Sequence, residues 1–99
     1  MSTMKEVDPV LDWFKGEMRK KLAEPKNLRK EHWSKLGWGY LTKRLREESA
    51  ELNDALLFQA FPTEEQTNKI ISEAADVANF AMMIADGARK AQNGVVEHL

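Results

Sequence analysis

The sequence predicts an all-α fold: a helical bundle of three long helices with a short extra one, assembled into a larger four-helix-type bundle by dimerisation. Three observations carry this expectation. Apolar residues recur at i, i+3, i+4 and i+7 in three separate segments, the spacing that lines one face of a helix. No segment shows the period-two alternation of a strand. Glycine and proline are few, 5 and 3 in 99 residues, and they fall mostly where helices would end. A chain of this length forms one domain, here 1–99. It leaves roughly a third of its unfolded surface exposed, so self-association to a homodimer or homotetramer would supply further burial.

Residues 1–7 read as a frayed lead-in. Asp8 and Pro9 then resemble an N-cap followed by the first helical position, where a missing N–H costs nothing. Leu11, Phe14, Met18 and Leu22 continue at helical spacing until Pro25 stops the run. The basic, aromatic stretch KNLRKEHWSKLGWGY (26–40) contains Gly37 and Gly39 and predicts a loop or ragged helix start, with room for a short helix near 27–36. A strongly helical pattern follows from about Tyr40 to Ala60, ended by Pro62. Thr63 and Gln66 form a capping box for the last helix, with Glu64 and Glu65 in its first turn facing the positive helix end. That helix runs to about Gln92, where Asn93-Gly94 stops it, and 95–99 read as frayed.

Composition narrows the function classes. A formal net charge of −1 provides no field to attract nucleic acid. The absence of cysteine excludes disulfides, thiolate metal sites and a thiol nucleophile. No apolar run approaches a membrane span, and no apolar leader opens the chain, so a cytoplasmic location is expected.

The informative feature is acid on apolar faces. In the second long helix Leu41, Leu45, Leu52, Ala55 and Leu56 form a stripe; Glu48 falls inside it, Glu51 about 60° away and Glu47 beside Glu51. In the last helix Ile70, Ala74, Val77, Ala81, Ile84 and Ala88 line up, with Glu73 at the edge and Asp76 one turn further along. The stretch VANFAMMIA (77–85) is apolar nearly all round, Asn79 being its one polar member. A carboxylate withdrawn from water costs several kcal/mol unless it is protonated, paired with a cation, or bound to a metal. Lys43, Arg44, Arg46 and Lys69 are near enough in sequence to pair with these acids. Two adjacent helices, each presenting carboxylates at i and i+3, would instead suit Mg²⁺, with Mn²⁺ as substitute. Neither helix contains the histidine of helix-bundle di-iron sites.

These residues also carry a resemblance. EESAE (47–51) followed by EAAD (73–76) matches the EExxE…ExxD signature of the MazG-like all-α nucleoside triphosphate pyrophosphohydrolases. LREESAELNDAL and EAADVANFAMMIAD resemble the text flanking the two halves of that signature, and the likeness covers about residues 40–86. The resemblance implies a dimeric or tetrameric α-bundle that hydrolyses a nucleoside triphosphate between its α- and β-phosphates, releasing a nucleoside monophosphate and pyrophosphate. Carried over by position, it implies Glu48, Glu51, Glu73 and Asp76 as Mg²⁺ ligands and Glu47 as a further ligand or water-positioning group. Asn79 takes a position near the substrate.

An anionic substrate also needs cations, and no glycine-rich phosphate loop exists here; Lys35, Lys43, Arg44 and Arg29 are the candidates. Trp33 and Trp38, with His32 and Tyr40, could stack on a base or plug one end of the bundle. Two other readings compete with the enzyme: a helical interaction module whose acids are neutralised by Lys and Arg, and a relative that binds nucleotides without turnover.

Overall fold

The computed structural model describes residues 2–28, 32–57 and 63–92. Within them the chain is helical, with no strand. The elements are α1 (Met4–Leu22), α2 (Pro25–Leu28), a single 3₁₀ turn (Trp33–Lys35), α3 (Trp38–Leu56) and α4 (Glu64–Gln92). No helix among the described residues is long and apolar enough to cross a membrane.

The first helix begins earlier than the Asp8-Pro9 pair suggests. Thr3 is its N-cap: the Thr3 hydroxyl accepts from the Glu6 backbone N–H at 3.3 Å, and the Thr3 carbonyl accepts from Glu6 and Val7. Residues 4–7 are therefore helix rather than lead-in, and Pro9 lies inside α1, where it removes one backbone hydrogen bond near the N-terminus. The Thr3 cap and Glu6 in the first turn offset part of that loss. The segment expected to hold one short helix near 27–36 instead forms α2 and the 3₁₀ turn. Gly37 caps α3, and Gly39 sits in its first turn. The Thr63–Gln66 capping box forms as expected: Gln66 N–H donates to the Thr63 hydroxyl at 3.2 Å, and Thr63 N–H to the Gln66 side-chain oxygen at 2.9 Å. Pro62, Ala60, Arg29, Asn93-Gly94 and the 95–99 tail lie outside the described residues.

Helix α4 is the shared element. Both α3 and α1 pack along it, whereas α1 and α3 make no close backbone approach to each other. The result is an open arrangement with a cleft over α4, and only four described residues are buried: Leu41, Glu48, Ala75 and Asn79. No residue of α1 is buried, and Val10, Leu11 and Trp13 are each at least half exposed.

The inward face of α4 differs from the expected stripe. Ala81 and Ala88 are exposed, while Ala75 and Asn79, one turn apart, are the buried pair. A segment apolar on every side does not by composition select which side turns inward. The inward side is the one bearing Asp76, Asn79, Phe80 and Met83. On α3, Leu41 and Glu48 are buried, but Leu56 is half exposed.

Glycine positions offer a test of packing. A Cβ on Gly16, on the exposed side of α1, would meet nothing within 4 Å, whereas one on Gly87 would come 3.2 Å from the ring of Trp38. Alanine is better than glycine in a helix interior by about 1 kcal/mol. Gly16→Ala is expected to stabilise by about 0.5–1 kcal/mol, and Gly87→Ala to give a smaller gain or a loss, read from urea-denaturation midpoints of the two variants.

A carboxylate cluster beside an aromatic cleft

The seam between α3 and α4 assembles the acids. Glu48 from α3 and Glu73 and Asp76 from α4 each place one carboxylate oxygen within 4.8 Å of the other two. Glu48 is 6% exposed. Glu51, on the outer side of α3, reaches both Glu48 and Glu73 with its carboxylate and pushes both of their pKa values up. Four of the five acids singled out in the sequence therefore converge. Glu47 does not: it is drawn outward by an ion pair with Arg44.

Each buried acid has one cation. Arg44 donates to Glu48 Oε1 at 2.9 Å, Lys69 to Glu73 Oε1 at 3.3 Å, and Lys21 Nζ lies 3.5 Å from Asp76 Oδ2. The pairing is incomplete, however. Glu48 Oε2 and Glu73 Oε2 are buried without a hydrogen-bond partner. Their acidic neighbour Glu51 becomes a partner only when the pair holds a proton. A buried carboxylate oxygen left in that state costs free energy comparable to a lost charged hydrogen bond. A hard cation would remove that cost. Magnesium–oxygen distances near 2.1 Å put adjacent ligands about 3 Å and opposite ligands about 4 Å apart, both within the 4.8 Å that bounds the separations of the three acids. The residues present thus fit a divalent ion.

The electrostatics follow from crowding. Glu48 is pushed up to about 7, first by burial, then by contact with Glu51 and by the charges of Asp76 and Glu51, against which Arg44 pulls only partly. Burial also raises Glu73, with Glu51 adding to it and Lys69 opposing. Asp76 is raised by burial and opposed by Lys21.

Next to the acids lies a cavity of about 430 Å³, in the cleft left between α1 and α3. Glu48, Asp76 and Asn79 line one end; Trp33, Tyr40, Phe80 and Met83 supply apolar and aromatic wall; Lys21, Lys26 and Arg44 are its cations. Asn79 is 3% exposed. Its amide nitrogen donates to the Met18 carbonyl at 3.1 Å, which orients the side chain and leaves Oδ1 as a buried acceptor without a partner. Arg44 lies over the Phe80 ring, 5.3 Å from its centroid.

The aromatic candidates separate. Trp33 lines the cavity, and its indole N–H donates to Asp86 at 2.9 Å, fixing the 3₁₀ turn to α4. His32 packs on Trp33 with ring centroids 4.1 Å apart. Trp38 lies against Gly87 and is not part of the cavity wall. Of the predicted phosphate cations, Arg44 lines the cavity, whereas Lys35 and Lys43 are exposed outside its lining. Lys21 and Lys26 take that place. They were invisible to pattern reading: Lys21 sits among the basic residues normal at a helix C-terminus, and Asp76 is far along the chain.

In comparisons with protein-family models, with curated proteins and with solved structures, no match was found.

The raised pKa of Glu48 sets a pH dependence. A folded-state value above the unfolded one gives stability that is fully present below the unfolded value, near 4.5, and is lost as pH rises through about 7. The metal-free protein is therefore expected to melt at a lower temperature at pH 8 than at pH 5.5. Glu48→Gln should remove most of that difference and be more stable than the parent at pH 8, by on the order of 1 kcal/mol. Calorimetric melts across this range check both.

Proposed function

We propose that this protein is a Mg²⁺-dependent nucleoside triphosphate pyrophosphohydrolase, converting a (d)NTP and water to a (d)NMP and pyrophosphate. The observation that carries the reading is the pair of buried carboxylate oxygens without a partner on Glu48 and Glu73, two of a trio of acids completed by Asp76, beside a cavity with aromatic walls and cationic side chains. Its volume falls in the range of small-molecule sites. The EExxE…ExxD pattern supports the same reading, since the residues it singles out are those that converge, Glu47 excepted.

In this reading Glu48, Glu73 and Asp76 hold the ion, and Glu51 closes the cluster from the outer side of α3. Bound Mg²⁺ lowers the pKa of a coordinated water and offsets charge on the phosphates. Glu48, raised toward neutrality while no cation is bound, gives up its proton when it takes the ion, so binding of the metal releases a proton. Glu47, tied to Arg44 outside the trio, acts only by helping to hold the arginine that also pairs with Glu48. The walls formed by Trp33, Tyr40 and Phe80 take the base by stacking and apolar contact. Asn79 Oδ1, an acceptor by virtue of its bond to Met18, selects a ligand group that brings a donor hydrogen. The exposed apolar residues of α1, Val10, Leu11 and Trp13, support a homodimer or homotetramer in which they are covered.

A second reading is favoured by one observation: every acid of the trio already has a cation on one oxygen. On that reading the cluster is a structural ion-pair network in an interaction module. The two are separated by Mn²⁺ and Mg²⁺ titrations. A ligand that binds only the folded state raises the melting temperature, so the enzyme reading expects a rise with either metal that equal ionic strength of NaCl does not reproduce. Pyrophosphate release from a dNTP panel should then require metal, and Glu48→Gln and Asp76→Asn should each lower it by at least a hundredfold, about 3 kcal/mol, with helicity unchanged. A melting temperature indifferent to both metals would favour the interaction module.

A further inference from the structure

Among the described residues, Lys21–Asp76 is the one ion pair that joins two helices. Arg44–Glu48 and Lys69–Glu73 are i,i+4 pairs, each within its own helix, so they travel with the acid they neutralise. Lys21 belongs to the last turn of α1 and reaches across to α4. It has a second anchor: Glu24 Oε1 lies 3.1 Å from its ammonium, and Glu24 Oε2 lies 3.5 Å from Lys26 Nζ. Lys21 and Lys26 both line the cavity, and Lys21 is the cavity cation that touches an acid of the trio across helices. Its side chain is 19% exposed, and with 3.5 Å to Asp76 against 3.1 Å to Glu24 its looser contact is the one to the cluster.

We propose that Lys21 is a tethered counter-ion which occupies Asp76 in place of a divalent cation and, when the cation takes that carboxylate, turns to the anionic end of the ligand in the adjoining cavity. The inference rests on the metal-site reading above and adds a coupling to it. Lys21 and the metal compete for Asp76 because, even on separate oxygens of one carboxylate, an ammonium and a divalent cation lie close enough to repel each other. Once released, Lys21 remains held near the cavity by Glu24, beside Lys26, so its charge is redirected rather than lost to solvent. The coupling makes metal and polyphosphate bind cooperatively: the metal frees a cation for the anion, and an anion that engages Lys21 leaves Asp76 open to the metal. It also explains why a cation from α1, the helix with no buried residue, is placed at the cluster at all.

The test separates the two directions of the effect. Mn²⁺ binding to the metal-free protein is measured by calorimetry and by electron paramagnetic resonance of free Mn²⁺. Inorganic tripolyphosphate binding is measured at saturating Mn²⁺. Lys21→Met is expected to bind Mn²⁺ roughly five- to tenfold more tightly and tripolyphosphate more weakly by a similar factor. Lys26→Met, which breaks no ion pair of Asp76 and removes only the lesser charge that Lys26 exerts on it, should weaken tripolyphosphate and change Mn²⁺ binding far less than Lys21→Met does. Should Lys21→Met lose helicity by circular dichroism, Lys21→Gln replaces it with the same expectations. Unchanged or weaker Mn²⁺ binding in the Lys21 variant, with normal binding by the parent protein, overturns the counter-ion role and leaves the metal site standing. Absence of Mn²⁺ binding by the parent overturns both.

Discussion

Three carboxyl groups from two helices occupy a space in which three free negative charges cannot coexist without compensation, and much of the molecule is arranged around that constraint. Leu41 and Ala75, the buried apolar residues, belong to the same two helices as Glu48 and Asp76, so the seam that holds α3 to α4 also withdraws the acids from water. Packing that stabilises the fold raises the cost of the charges, and the charges in turn limit how tightly the seam can close. Arg44, Lys69 and Lys21 answer part of this conflict. They leave one buried oxygen each on Glu48 and Glu73 without a partner.

The openness of the fold has the same origin as its cavity. Because α1 and α3 meet α4 but not each other, neither long helix closes over the inward face of α4, and the polar groups on that face remain accessible to a small molecule. A closed three-helix bundle with a larger apolar core would be more stable alone, but it would cover Asp76 and fill the cavity beside it. The cavity and the marginal burial are thus two descriptions of one packing choice, and the apolar residues exposed on α1 are its visible cost.

What pattern reading recovers, and what it misses, divides along physical lines. The start of α4 and its capping box were legible because both depend on residues within one turn of each other. The convergence of Glu48, Glu73 and Asp76 was legible because i,i+3 spacing fixes a helix face whatever the helix packs against. The start of α1 was not, since two local signals competed and the earlier cap at Thr3 prevailed over Asp8-Pro9. The inward side of α4 was not, because 77–85 offers an apolar surface in every direction. Trp38 and Lys21 were placed by partners at positions 87 and 76, and no local signal reports a contact over such separations.

The indole of Trp33 fastens one wall of the cavity to Asp86, whose carboxyl is held far below the ordinary aspartate range by that N–H and by Lys90 and Arg89. Protonation would loosen this fastening only under strongly acidic conditions, whereas Glu48 at the opposite end changes charge near neutrality. The aromatic wall therefore keeps its fastening across the whole range in which Glu48 changes charge. Acidity alters the electrostatics of the cleft and leaves the footing of its apolar wall in place.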